Sequence, residues 1–269
     1  MFSYKDIDGD GIPIAKQVHG RKIVYLNPIE DDDDPIIKFE TVQENIPLPT
    51  KERQVIFAAG AQNSGKSYRV AAYIYYWLRM FPDRPVTVIS RLDHDETFCD
   101  RSRDGWGNLE RSINRLKPSV DWIENKFQLE KFSNQLVVFD DVISSKWSDN
   151  PDPKDNRKEN NLIQDYIFDL AKDMAQNGRH NNIQLFITSH DLYTRGSGLS
   201  KIIVDCTDFV MFPDTSSEHH LNYFLKEYVG LTKPKIDLFK TLKSRWIWIH
   251  KNSPRYFMYQ NGLIRYDLI

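Results

Sequence analysis

The octapeptide Gly60-Ala61-Gln62-Asn63-Ser64-Gly65-Lys66-Ser67 constrains this chain more than any other feature, because it matches GxxxxGK[ST] at every fixed position. Its context fits the pattern too. Val55-Ile56-Phe57-Ala58-Ala59 before it is a short apolar run, the signature of a buried parallel strand. Lys66 to Met80 after it has no Gly or Pro and reads as a helix stopped by Phe81-Pro82-Asp83. A strand, a glycine-bounded loop and a helix make a phosphate cradle. Backbone N–H groups turn inward, and the helix adds free N–H groups and a positive dipole end. In this pattern Lys66 reaches the terminal phosphates and the Ser67 hydroxyl binds magnesium. Gly60, Ala61, Gln62, Asn63, Ser64, Gly65, Lys66, Ser67 and the following Tyr68 form the expected nucleotide-binding set.

Further apolar runs follow: Pro85–Ser90, Leu136–Phe139, Ile183–Thr188 and Phe209–Phe212, with a helix over Leu162–Asn177 ended by Gly178. Strands alternating with helices predict a mostly parallel sheet with helices on both faces. Leu136-Val137-Val138-Phe139 runs into Asp140-Asp141. Asp140 suits a magnesium-associated carboxylate at the strand tip, and Asp141 suits the group that orients and deprotonates an attacking water. If the Ile183–Thr188 strand lies beside the Asp140 strand, Ser189 falls near the γ-phosphate as a polar sensor. Arg179, in Asn177-Gly178-Arg179-His180, falls at the other end of that strand, where it either serves a neighbouring subunit's nucleotide rather than its own or is a surface arginine near a helix C-terminus.

Composition limits the partners. With 36 Lys plus Arg against 38 Asp plus Glu, the formal charge is -2, so any polyanion must be gripped by a local patch. Two patches are candidates: Arg101, Arg103, Arg111, Arg115 and Lys117 around Trp106, and Lys146, Lys154, Arg157 and Lys158. The latter group lies in the polar, proline-containing stretch 144–161, read as a long mobile loop. Cys99 and Cys206, the only cysteines, make neither a disulfide framework nor a zinc site and fit a reducing compartment. No apolar run approaches membrane-span length, so a soluble intracellular protein is expected. Residues 1–50 read as a β-rich extension, joined by a linker over Pro47–Arg53 to an ATPase domain over 51–269. In that extension Ile23–Leu26 and Ile36–Phe39 suggest a hairpin around the acidic turn Asp31–Asp34. Asp6–Gly11 resembles the start of a calcium loop, but position 12 of that frame is Gln17, so it reads as a turn.

GAQNSGKS, LVVFDD and NGRHNNIQLFITSH together resemble, in order and spacing over about residues 50–250, the DNA-packaging ATPases of large DNA viruses, the poxvirus type, within the FtsK–HerA class of P-loop motors. The resemblance implies a RecA-like core and a homo-oligomeric ring. It also implies hydrolysis of ATP with Mg2+ to drive double-stranded DNA, read without regard to sequence, into a capsid. Capsid or portal-like vertex proteins would be partners, and host cytoplasm, virus factory or virion the location. Lys66, Ser67, Asp140, Asp141 and Arg179 match motor positions. Two departures stand out: Asp141 where the class often has Glu, and Ser189 where related motors often have Gln. A nucleotide kinase, a helicase or assembly ATPase, and a nucleotide-binding scaffold without turnover share enough of the core to remain alternatives.

Overall fold

A computed structural model describes residues 2–4, 6, 9, 11–17, 22–26, 36–38, 45–99, 106–124, 128–142, 147–190, 192, 199–213 and 217–268. The chain forms two units, one from residues 52–206 and one from 1–51 with 207–269. The expected division after residue 50 is therefore incomplete, because the last 63 residues (207–269) group with the N-terminal segment.

The N-terminal segment contributes β1 (Phe2–Ser3), β2 (Ile12–Gln17), β3 (Ile23–Leu26), β4 (Ile36–Lys38) and β5 (Asn45–Pro47). The expected hairpin between β3 and β4 does not form. β3 pairs antiparallel with β1 and β2, and β2 also pairs with β5. The Asp6 carboxylate accepts the Gly11 N–H at 2.7 Å in an exposed turn. Asp31–Asp34 lie outside the described residues.

Residues 52–206 hold β6 (Val55–Ala59), α1 (Lys66–Met80), β7 (Val86–Ile89), β8 (Asn114–Leu116), α2 (Val120–Glu124), β9 (Leu136–Phe139), α3 (Pro153–Asn177), β10 (Gln184–Ser189) and α4 (Leu199–Val204). Their strands lie in the order β6, β10, β9, β7, β8, all parallel. This is the expected mixed α/β fold with a mostly parallel sheet. Every residue of β6, β7, β9 and β10 is buried, which is why these strands read as unbroken apolar runs rather than alternating ones. β10 is inserted between the strand that leads into the P-loop and the strand that ends in Asp140.

Helix α3 begins nine residues earlier than the periodicity predicts, at Pro153 rather than Leu162. Residues 153–161, expected in a mobile loop, are its first turns. The Asp152 side chain caps it, accepting from the N–H groups of Lys154 (2.8 Å) and Asp155 (3.3 Å), and Pro153 takes the first helical position. Trp147 is buried and its indole N–H donates to Gln164 on the same helix at 3.2 Å, so residues 147–152 pack on α3. At the other end, Arg53 donates to the carbonyls of Met174, Ala175 and Ile183, covering the helix C-terminus. The expected linker residue is thus a capping residue.

Residues 207–269 add β11 (Asp208–Met211), α5 (Glu218–Glu227), α6 (Lys233–Thr241), β12 (Ile247–His250), β13 (Tyr256–Tyr259) and β14 (Gly262–Arg265). β11, β12, β13, β14 and β4 pair in that order, each antiparallel to the next. The Phe209–Phe212 run was expected in a parallel sheet, yet it is antiparallel to β12. No described helix is long and apolar enough to cross a membrane.

Candidate nucleotide site

The P-loop follows β6 directly. Asn63 and Gly65 have positive φ, 62° and 107°. Gly65 is the N-cap of α1, and its left-handed backbone is what turns the chain from loop into helix. Lys66, the first helical residue, is buried at 5% exposure. Its Nζ donates to the carbonyls of Gly60 (2.7 Å) and Ala61 (3.1 Å) and lies 3.1 Å from His190 Nδ1. Burial pulls the Lys66 pKa below its ordinary value, against the opposing pull of Asp141 and Asp140.

Strand register brings the acids to the lysine. Ala59 pairs with Ser189, and Phe139 with Ile187, so Asp140 stands level with Thr188. The Thr188 hydroxyl donates to Asp140 Oδ1 at 2.9 Å and accepts the Asp141 N–H at 2.8 Å. One hydroxyl thus ties both acids to the inserted strand. Asp140 is 5% exposed. Burial first, and the neighbouring Asp141 charge second, push its carboxyl up to about 6, with the Thr188 hydrogen bond opposing. Asp141 sits at φ 48°, a left-handed backbone uncommon for a side chain other than glycine, and its Oδ2 lies 3.3 Å from His190 Nε2. His190 therefore spans Lys66 and Asp141, Nδ1 toward the amine and Nε2 toward the carboxylate.

Gln62, Asn63, Gly65, Lys66, Ser67, Tyr68, Thr97, Asp141 and His190 line one cleft of about 310 Å3 at the C-terminal edge of the parallel sheet, the edge where open α/β sheets bind ligands. The structure thus brings the P-loop lysine, Ser67, Tyr68 and Asp141 to one cleft, while Asp140 is buried next to Asp141, tied to it through the Thr188 hydroxyl. Two expected residues are elsewhere. Ser189 is 1% exposed within the sheet, its carbonyl accepting the Gly60 N–H at 3.2 Å. At this strand end it is the next residue, His190, that lines the cleft. Arg179 is exposed in a short turn before β10, at the strand end opposite the cleft. Sequence reasoning missed His190, Thr188 and Thr97. The run Thr188-Ser189-His190 carried the signal, since strand residues alternate faces, but only the register says which face meets the P-loop.

The residues fit a magnesium-bound nucleotide. Ser64 Oγ is buried inside the loop with no hydrogen-bond partner, a polar atom of the kind a bound phosphate satisfies. Asp140 is a buried carboxylate with one side-chain donor, its pKa raised by burial first and by the neighbouring Asp141 charge second. A cation beside Ser67 and Asp140 would remove that cost.

The basic patches divide. Arg101, Arg103 and Lys146 lie outside the described residues. Arg115 is no surface group: its guanidinium pairs with Glu110, with side-chain exposures of 9% and 14%. Lys154, Arg157 and Lys158 are exposed on the first turns of α3, at the i, i+3, i+4 spacing that shares one helix face.

No family model matches the sequence. Across 97% of its length the chain is 32% identical to "Uncharacterized protein V3" of Sputnik virophage, covering 98% of that protein. The chain belongs to the V3 family. Among solved structures, the genome packaging NTPase B204 from Sulfolobus turreted icosahedral virus 2, in complex with ATP-gammaS, aligns at a TM-score of 0.49 and 15% identity, over 80% of this chain and 98% of that one. The conjugation coupling protein TcpA of pCW3, with ATPgS, aligns at 0.46 and 13% identity, over 96% of this chain and 78% of that one.

Proposed function

We propose that this V3-family chain is an ATP-hydrolysing subunit of a homo-oligomeric motor that moves double-stranded DNA into a capsid. The observation that carries the reading is the convergence of Lys66, Asp141 and His190 on one cleft, with Asp140 buried next to Asp141 and tied to it through the Thr188 hydroxyl.

The P-loop N–H groups and the α1 N-terminus bind phosphate oxygens, and Lys66 exchanges the Gly60 and Ala61 carbonyls for them. Ser67 and Asp140 would hold Mg2+, which when bound neutralises charge on the phosphate oxygens. Asp141, oriented by His190, accepts the proton of the attacking water as the water oxygen bonds to the γ-phosphorus. The products are ADP and phosphate. Thr188 holds the two acids at fixed spacing. Arg179 faces the neighbouring subunit's site in a ring, where its charge stabilises the transferred phosphoryl group. The Lys154–Arg157–Lys158 face of α3 grips DNA phosphates without reading bases.

Phosphate release from ATP by the purified chain tests the site. Lys66→Ala and Asp141→Ala are each expected to lower turnover by about 10²–10⁴-fold. Equal turnover in all three proteins overturns the assignment. The Lys154→Ala/Arg157→Ala/Lys158→Ala triple variant is expected to keep DNA-free turnover and lose its stimulation by DNA. Full stimulation excludes that face.

A further inference from the structure

We propose that His94, Cys99 and Glu110 form a binding site for a zinc-class divalent ion, built on the segment that borders the nucleotide cleft. The proposal does not rest on the motor reading.

One imidazole nitrogen, one thiol sulfur and one carboxylate oxygen from these residues lie within 4.8 Å of one another. His94 Nε2 is 3.2 Å from Cys99 Sγ. Two ligands of a tetrahedral zinc at ordinary bond lengths stand roughly 3.5 Å apart, so shifts of about 1 Å close the site. A nitrogen, sulfur and oxygen set suits zinc and its neighbours, whereas magnesium takes oxygen alone. The cysteine count leads to the expectation of no zinc site, but a mixed nitrogen, sulfur and oxygen set needs only one cysteine.

The local fold builds this cluster. Asp95 caps the turn Glu96–Phe98, accepting the Thr97 N–H at 2.7 Å, and that turn folds Cys99 back to His94. Glu110 arrives from the next turn, Leu109–Ser112. Its Oε1 accepts the Asp95 N–H at 3.1 Å and the Arg115 guanidinium. A carboxylate pinned from behind in this way resembles the outer-shell support of metal ligands. Arg115 lies over the Phe98 ring, 5.4 Å from its centroid, which fixes it in turn. Zinc takes the thiolate form of Cys99, so a proton leaves the sulfur as the Zn–S bond forms.

Thr97 lies between two of the ligands and lines the cleft. Metal at this site would tie the turn carrying Thr97 to the turn Leu109–Ser112. His94 is exposed, which leaves the fourth position to water.

The test is a titration of the reduced full-length chain with cobalt(II), followed by displacement with zinc. One equivalent of cobalt is expected to give a thiolate-to-cobalt charge-transfer band that zinc removes. The band should be absent in Cys99→Ser, retained in Cys206→Ser, and shifted to at least about 10-fold higher cobalt concentration in His94→Ala. Because His94 is exposed, its variant keeps the fold. No thiolate band in the wild type overturns the proposal, as does a band that survives Cys99→Ser or a His94→Ala titration identical to the wild type.

Discussion

Asp140 and Asp208 are both acids buried at a strand end, 5% and 0% exposed, in different units of the molecule. Their surroundings differ. Asp208 opens β11 and accepts three side-chain hydrogen bonds, from Thr207 Oγ1 (2.7 Å), Trp248 Nε1 (2.9 Å) and His250 Nδ1 (2.7 Å). Asp140 accepts one, from Thr188, and faces a second acid. A buried carboxylate supplied with donors is part of the frame. One left short of them, beside another carboxylate, keeps a cost that a cation or proton must relieve. The contrast distinguishes Asp208 from Asp140, the acid proposed to hold magnesium, without reference to any relative.

The largest effect on that comparison is expected from Asp208→Ala. It strands three buried or half-buried donors, and equilibrium denaturation should show a loss of about 3–5 kcal/mol. A loss below about 1 kcal/mol would put Asp208 outside the frame.

Asp140→Asn should act in the opposite sense on the nucleotide-free chain. Raising the carboxyl from 3.8 to about 6 means the folded state holds its proton more tightly than the unfolded state does. Stability from this group is complete below pH 3.8 and is lost as pH rises through about 6. At about 1.4 kcal/mol per pH unit, ionised Asp140 costs up to about 3 kcal/mol at pH 7.5. The Asn variant should therefore match wild type near pH 4 and exceed it by about 2–3 kcal/mol at pH 7.5, while losing ATP turnover. Denaturant midpoints at the two pH values check this, and a constant difference would sink it.

The smallest effect is expected from His190→Ala. Its side chain is 32% exposed and links Lys66 to Asp141. Turnover should fall roughly 10-fold, with unfolding free energy changed by less than about 0.5 kcal/mol. A drop in stability with turnover intact would move His190 from the site to the frame.

Much of the site was legible because its chemistry is local. The cradle is one short stretch whose glycines, lysine and serine act within a single turn of chain, and the acids follow an apolar strand directly. Other elements were missed for identifiable reasons. The start of α3 was hidden because polar residues around Pro151 and Pro153 resemble a loop, although Asp152-Pro153 is itself a cap followed by a first-position proline. The β3–β4 hairpin failed because sequence neighbours competed with distant strands for pairing, and β14 took β4.

The sequence by itself determined the phosphate loop, its flanking strand and helix, and the acid-tipped strand, since each depends on contacts within a few residues. Only the tertiary structure decided that β10 lies between the loop strand and the acid strand, that His190 rather than Ser189 meets the lysine, and that His94, Cys99 and Glu110 converge. Strand order and register are set by which buried faces pair across the sheet. A shift of one residue reverses every side chain, and no local pattern records that choice.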